Sequence, residues 1–309
     1  MRQARTLIYL LLWLLIPAPV SCWAENLKVL VVLSDSSTPY LSFASALSKS
    51  LPPSVQASVL ETPERLSSSM YQADLVVAVG MKATEFAASK TTIPMLSVMI
   101  PRMGYEELLV RASPKTDHRL ISAIYIDQQW DRQIEFWRAV LPERRRIGLL
   151  HSQDTNFDLE HLRKKVAQRG GSLQSQQVRS SDELFPKLEG VLANSDVLVA
   201  IPDSSIYNSS NIRNILLTSY RYGIPLIGIS QSYVNAGAMC AIFSTPEQFA
   251  EQASGVMVSF ARTRHLSEPQ YPATYTIAIN HQVARSLGIK LPPQETIRER
   301  MGKTRGGEQ

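Results

Sequence analysis

The 309-residue chain is 44% hydrophobic and 19% charged, a globular composition that excludes a disordered polymer. Its 14 glycines and 18 prolines exclude collagen-like and low-complexity architectures, and its length suits two domains of ordinary size. The formal charge of +5 at pH 7 is too mild to imply nucleic-acid binding, so no nucleic-acid partner is expected.

Arg2 and Arg5 precede the apolar run Leu7–Ile16, which stops at Pro17 and Pro19 and gives way to small residues. This is the layout of a secretory signal peptide. The run is too short for a membrane-crossing helix, which needs about 20 apolar residues. Cleavage after Ala24 puts Cys22 and Ala24 at the two positions that must be small, and predicts residues 1–24 as a removed signal and an exported, soluble product. Cleavage before Cys22 to give a lipoprotein is the alternative, weakened by Pro19 where such signals carry leucine. The mature chain then holds one cysteine, Cys240, whose neighbours Ala238, Met239, Ala241 and Ile242 predict a buried, inert thiol. The five histidines show no ligand spacing, so neither a metal nor another cofactor is expected.

Beyond residue 24, β-branched runs alternate with helical patterns. Leu27–Leu33 reads as a strand buried on both faces, then come a helix over Pro39–Lys49, a strand over Val55–Leu60 and a short helix over Glu64–Met70. Leu75–Gly80 is the third strand, Lys82–Ser89 a helix, Pro94–Ile100 the fourth strand and Leu120–Ile126 the fifth. The pattern then restarts. Trp130–Leu141 is amphipathic, with Trp130, Ile134, Trp137 and Leu141 on one face, a stripe that predicts core packing rather than a ligand box. Strands over Arg145–His151, Leu173–Val178, Asp196–Ile201 and Ile224–Ile229 alternate with helices over Leu159–Arg169, Leu184–Leu192 and Ile212–Tyr222. The halves share a phrase: Ala73-Asp74-Leu75-Val76-Val77-Ala78-Val79-Gly80 matches Ser195-Asp196-Val197-Leu198-Val199-Ala200-Ile201-Pro202. After each come a helix and then Ile-Pro with an apolar strand. Two similarly built α/β lobes, with parallel sheets joined by right-handed helical crossovers, are the economical explanation.

Ligands of parallel α/β sheets collect beyond the carboxyl ends of the strands, and that rule selects the loops to inspect. Ser34-Asp35-Ser36-Ser37-Thr38-Pro39 lies after the first strand, with Ser37 or Thr38 expected to cap the helix and hydroxyls to spare. Gly80-Met81-Lys82 lies after the third, its glycine easing a turn or admitting a ligand to the backbone. In the second half the corresponding loops are Ser152–Asn156, Pro202-Asp203-Ser204-Ser205 and Ser230-Gln231-Ser232-Tyr233. Asp203 suits either a ligand amino group or a cap for the residues after it. There is no GxGxxG, P-loop, GxSxG, HExxH or paired-carboxylate motif, so the sequence supports no enzyme.

Several of these stretches resemble the ABC-transporter substrate-binding proteins that include tryptophan- and tyrosine-binding members. They are Gly80-Met81-Lys82-Ala83-Thr84, Gln133-Ile134-Glu135-Phe136-Trp137, Ile201-Pro202-Asp203-Ser204, Gly223-Ile224-Pro225-Leu226-Ile227 and Leu287-Gly288-Ile289-Lys290-Leu291-Pro292, collinear over nearly all the mature chain. The resemblance implies a hinged, two-lobed, type I periplasmic-binding-protein fold in which the chain crosses between lobes three times. It divides the chain into residues 25–126 plus 239–268 and residues 127–238 plus 269–309. It implies a periplasmic monomer that captures a small solute, such as an amino acid, between the lobes and delivers it to a membrane permease. The implied ligand positions are Ser36, Ser37, Thr38, Gly80, Met81, Lys82, Asp127, Asp203, Ser230 and Gln231. Two segments depart from the family: Pro101-Arg102-Met103 stands in place of Asp-Pro-Val, and Asp117-His118-Arg119-Leu120 in place of an Asn-x-Thr-Gly turn. These departures leave open a second expectation, a periplasmic interaction or sensor-partner protein that keeps the fold without transport.

Overall fold

The first apolar run forms β1 (Leu27–Leu33), buried at every position except Lys28, as a strand covered on both faces must be. The computed structural model describes residues 26–65, 72–90, 93–111, 120–153 and 158–305. The predicted signal peptide, most of the predicted helix Glu64–Met70, residues 117–119 and residues 154–157 lie outside them. After β1 come α1 (Thr38–Ser50), the edge strand β2 (Val55–Leu60), a single 3-10 turn at Pro63–Arg65 and the fully buried β3 (Leu75–Val79). Next are α2 (Met81–Lys90), β4 (Met95–Ile100), α3 (Arg102–Arg111) and β5 (Ile121–Tyr125). All five strands are parallel, in the order β2-β1-β3-β4-β5. Helix α3 is absent from the pattern-based reading, because only Tyr105 along it is fully buried and an apolar stripe is hard to see.

The second series runs α4 (Trp130–Val140), β6 (Arg146–Ser152), α5 (Leu159–Gln168), β7 (Ser172–Val178), α6 (Leu184–Leu192) and β8 (Val197–Val199). It continues through α7 (Ile212–Arg221), β9 (Leu226–Gly228), the short α8 (Gln231–Ala236) and β10 (Cys240–Phe243). Last come α9 (Pro246–Thr263), β11 (Thr276–Ile279), α10 (His281–Ser286) and α11 (Gln294–Arg305). The sheet order is β11-β10-β9-β8-β6-β7, with only β11 antiparallel to its neighbour. The shared phrase of the two halves falls on β3 and β8, and each pairs with the first strand of its own sheet. The expected pair of α/β lobes is present. Cys240 is fully buried, and burial pushes its thiol pKa up.

One boundary differs from expectation. The resemblance places residues 239–243 with the first lobe, yet β10 extends the second sheet, pairing Cys240 with Ile227 and Ala241 with Gly228. The turn at Gly237, φ +122°, returns the chain directly alongside β9, where the Met239 amide donates to the Leu226 carbonyl. The chain leaves the second sheet only at Ser244–Thr245. Thr245 and Gln248 form a capping box, and Phe249, Ala253, Met257 and Phe260 of α9 then enter the first lobe's core beside Phe43 and Leu47 of α1. The return crossing also comes slightly later than expected: Gln270 still bonds to β5 in both directions, and Tyr271 packs edge-on against Tyr125.

Candidate functional site

The carboxyl ends of β1 and β3 are joined by a small internal clasp. The Ser34 hydroxyl donates to the Val79 carbonyl at 2.9 Å and accepts from the Ala83 amide at 3.0 Å, fixing the start of α2 against β1. Gly80 sits at this junction with φ +83°, and a Cβ there would lie 2.5 Å from the Tyr40 hydroxyl oxygen. The residue is glycine because both backbone and space demand it. Ser36, Ser37 and Thr38 are exposed. The Ser36 hydroxyl donates to Glu61 at 3.3 Å. Ser37 occupies the N-cap of α1 but makes no side-chain cap bond. Pro39, two positions on, has no N–H to give, and the Tyr40 amide already bonds to the Ser37 carbonyl. Lys82 is held outward in an exposed ion pair with Glu64 at 2.8 Å. Met81 turns inward, with its sulfur against Gly104 of α3.

Between the sheets, at the first and third chain crossings, lies a crevice with walls from both lobes. The first lobe supplies Arg102 and Met103, the first crossing supplies Asp127, and the second lobe supplies Trp130, Gln133 and the Ile201-Pro202 turn. Gln128 and Tyr271 close it from the crossing segments. The bulge between Val98 and Ile100, with Met99 at φ +58°, turns the end of β4 so that the Arg102 amide donates to Asp127 Oδ2 at 2.7 Å. The Arg102 guanidinium donates to the Tyr271 hydroxyl at 2.9 Å and to Glu106 at 2.7 Å. The bond to Tyr271, reinforced by Glu106, raises the guanidinium pKa further, so it stays charged. Burial pushes the Asp127 carboxyl up to about 6, against the pull of the Arg102 amide, its own amide and the Arg102 charge. The crevice encloses about 50 Å³. At roughly 10–15 Å³ per water it holds only a few waters in this arrangement.

The Asp127 shift carries a stability consequence. The folded carboxyl binds its proton more tightly than the unfolded one, so this contribution is complete below pH about 4 and is lost as pH rises through about 6. Asp127→Asn is expected to remove that dependence. The check is the difference in urea midpoint between the two proteins from pH 4 to 7, which should move steadily in favour of the variant as pH rises.

In the second lobe, Asp203 is buried at 7% exposure. Its Oδ2 accepts from the Ser152 amide at 2.7 Å and its Oδ1 from the Ser205 amide at 3.1 Å. It therefore ties the last residue of β6 to the loop after β8. Of the two roles open from sequence, the geometry favours the local cap, although the cap is internal rather than on the surface. Ser230 is the N-cap of α8 without a side-chain cap bond, and Gln231 donates to Asn235 at 2.9 Å.

Of the ten anticipated positions, Asp127 lines the crevice and Asp203 lies directly behind the Ile201-Pro202 wall. Ser36 to Lys82 stand at the carboxyl ends of the first sheet, and Ser230 and Gln231 stand beyond β9. The crevice adds Arg102, Gln128, Trp130, Gln133 and Tyr271. Arg102 had a sequence signal, since it lies in a departure from the family pattern. Tyr271 had none, because only the third crossing brings it there. Among the described residues no group of three or more metal-ligating side chains stands together, and no helix is long and apolar enough to cross a membrane.

The family model "ABC transporter substrate binding protein" matches residues 65–303. A search of curated proteins gives no match. Among solved structures, a conserved domain protein from Vibrio cholerae aligns with a TM-score of 0.63 at 18% identity, over 89% of this chain and 98% of its own. A substrate binding protein with adhesive properties from Clostridium difficile, in its ligand-free, open form, aligns at 0.67 and 14%, over 87% and 97%. A domain from Streptococcus pneumonia in complex with L-Trp aligns at 0.63 and 16%, over 89% and 98%. These likenesses show the two-lobed α/β fold. The family match spans more than half the sequence and rests on both lobes: the chain belongs to the ABC transporter substrate binding protein family.

Proposed function

We propose that this protein is a periplasmic receptor that captures a small solute between its lobes and presents it to the membrane permease of an ABC importer. The observation that carries the reading is the crevice itself. Residues from both lobes converge on it, and it sits where the chain crosses between them, so lobe motion alters its width. A crevice holding a few waters must widen to admit a solute, because pockets for small molecules commonly measure about 300–1,000 Å³. Opening and closing about the crossings is the motion this requires. The L-Trp complex of the streptococcal relative supports an amino acid as the first solute to test. Asp127 suits the ammonium group of such a ligand, since a partly buried carboxylate gains most from a cation that replaces lost water.

The test is a thermal-shift screen of amino acids, sugars and small carboxylates on protein unfolded and refolded to remove carried-over ligand. A cognate solute at about 100 times its Kd adds about 2.7 kcal/mol of stability. X-ray scattering should show a smaller radius of gyration with the same compound. A library that produces neither effect overturns the transport reading. Retention on a membrane or receptor partner without solute binding would favour the interaction-protein alternative raised by Arg102-Met103 at the crevice.

A further inference from the structure

The second lobe holds a separate cavity of about 320 Å³, at the carboxyl ends of β6 and β7. The second sheet reverses its order at β6, which has β7 on one side and β8 on the other. Such switch points are where parallel α/β sheets leave room for a ligand. The loop after β8 separates this cavity from the crevice: Ile201 and Pro202 face the crevice, whereas Ser205 and Ile206 face the cavity. Asp203 lies between the two, with its carboxylate turned into the protein by the Ser152 and Ser205 amides.

The cavity wall is rich in donors. Arg179 stands just past the end of β7, with Ser180 and Ser181 next to it, and Ser205 and Asn211 come from the opposite wall, the Asn211 side-chain amide giving one of its two hydrogens to the Ile206 carbonyl at 3.2 Å. Val178, Leu184 and Ile206 provide an apolar floor. Among the described residues no carboxylate lines it. Of the two acids on the same turn, Asp182 and Glu183, the second accepts from the Arg179 backbone amide at 3.2 Å, which leaves the guanidinium outside that contact. Ser180 is extended and makes no side-chain cap bond, so its hydroxyl is not committed to the adjoining helical turn. A guanidinium with several hydroxyls and an amide, and no acid among the described residues that line the cavity, matches an oxyanion. Arginine offers paired N–H groups to two oxygens, and hydroxyls can supply the rest.

We propose that this cavity is an oxyanion site of the second lobe, taking a carboxylate or phosphate group of a small molecule through Arg179, Ser180, Ser181, Ser205 and Asn211. It goes beyond solute capture in the crevice, because it needs neither the first lobe nor closure.

Calorimetric titration with inorganic phosphate, succinate and glycerol, all at one ionic strength, tests it. Saturable binding of phosphate or succinate is expected, with glycerol inert; the tighter of the two anions identifies the group the site prefers. Arg179→Gln should weaken the anion by about tenfold or more, the scale of one lost charge-assisted bond. Arg138→Gln, which removes an equal charge from an exposed position on α4, should leave binding unchanged. Because Arg179 is exposed, the variant keeps the fold, and a matching far-UV spectrum verifies this. Equal affinity in Arg179→Gln and wild type, equal loss in Arg138→Gln, binding of glycerol as strong as that of the anions, or no anion binding would each overturn the proposal. None of these results bears on whether the crevice closes on a solute.

Discussion

Asp203→Ala is expected to destabilise the protein by about 3 kcal/mol, because it removes a buried acceptor of two backbone amides, those of Ser152 and Ser205. Hydrogen bonds to a charged group are worth about 1.5–3 kcal/mol each, and an N–H left buried without a partner adds its own desolvation cost. Part of the loss is recovered if the loops relax and water enters. Asp203 also organises the next turn through its backbone, since the Ile206 and Tyr207 amides both donate to its carbonyl and begin the turn that buries Tyr207. Urea unfolding monitored by tryptophan fluorescence should show a lower midpoint at unchanged slope. Asp203→Asn, which retains one acceptor oxygen, should fall between the two. A midpoint for Asp203→Ala indistinguishable from wild type would mean that the carboxylate does not hold these loops. A lowered midpoint would mean that any loss of solute affinity in these variants has a structural part, because the same loop carries Ile201 and Pro202 on the crevice wall.

This residue shows where sequence reading reaches and where it stops. Residues that form strands buried on both faces declare themselves by uninterrupted apolar runs, and β1, β3 and β4 are found where those runs lie. The doubled plan was legible as well, because the two shared phrases occupy the same place in each lobe. Strand ends were therefore locatable, and with them Gly80 and Asp203, whereas Asp127 came only from the family resemblance. What an isolated loop cannot reveal is the direction its side chain takes. Asp203 points inward because the Ser152 amide at the end of β6 and the Ser205 amide of its own loop converge on it, the first a consequence of β6 and β8 being neighbours in space. Lobe membership had the same difficulty. The run Cys240–Phe243 reads identically in either sheet, and its place is decided by the turn at Gly237 and the pairing to β9. Helix α3 and Tyr271 were illegible for opposite reasons: the helix buries too little to show a stripe, and the tyrosine has no local pattern at all.

Gln128→Ala is expected to cost about 3 kcal/mol and to loosen the crossings together. Gln128 leaves the first lobe and Arg132 begins the second, while Ser244 and Pro272 lie on the other two crossings. The Gln128 side chain donates to the Ser244 hydroxyl at 3.0 Å and accepts from the Arg132 guanidinium at 2.6 Å. Arg132 reaches on to the Pro272 carbonyl at 2.8 Å and lies 5.1 Å from the Tyr275 ring centre. The Ser244 hydroxyl donates in turn to the Thr274 carbonyl at 2.6 Å. All three crossings are therefore joined by one buried polar chain, and Gln128 is the member that touches the other two side chains. Removing it takes an acceptor from a buried cation and a donor from a buried hydroxyl, losses of the kind that are costly in a low-dielectric site. Arg132→Met, which withdraws the charge along with its need for acceptors, should be less destabilising than Gln128→Ala. That ordering separates an uncompensated charge from simple loss of packing. Amide hydrogen exchange should rise at 126–132, 243–246 and 271–275 in Gln128→Ala while the cores of both sheets keep their protection. Exchange that rises at one crossing alone would show that the three are not coupled.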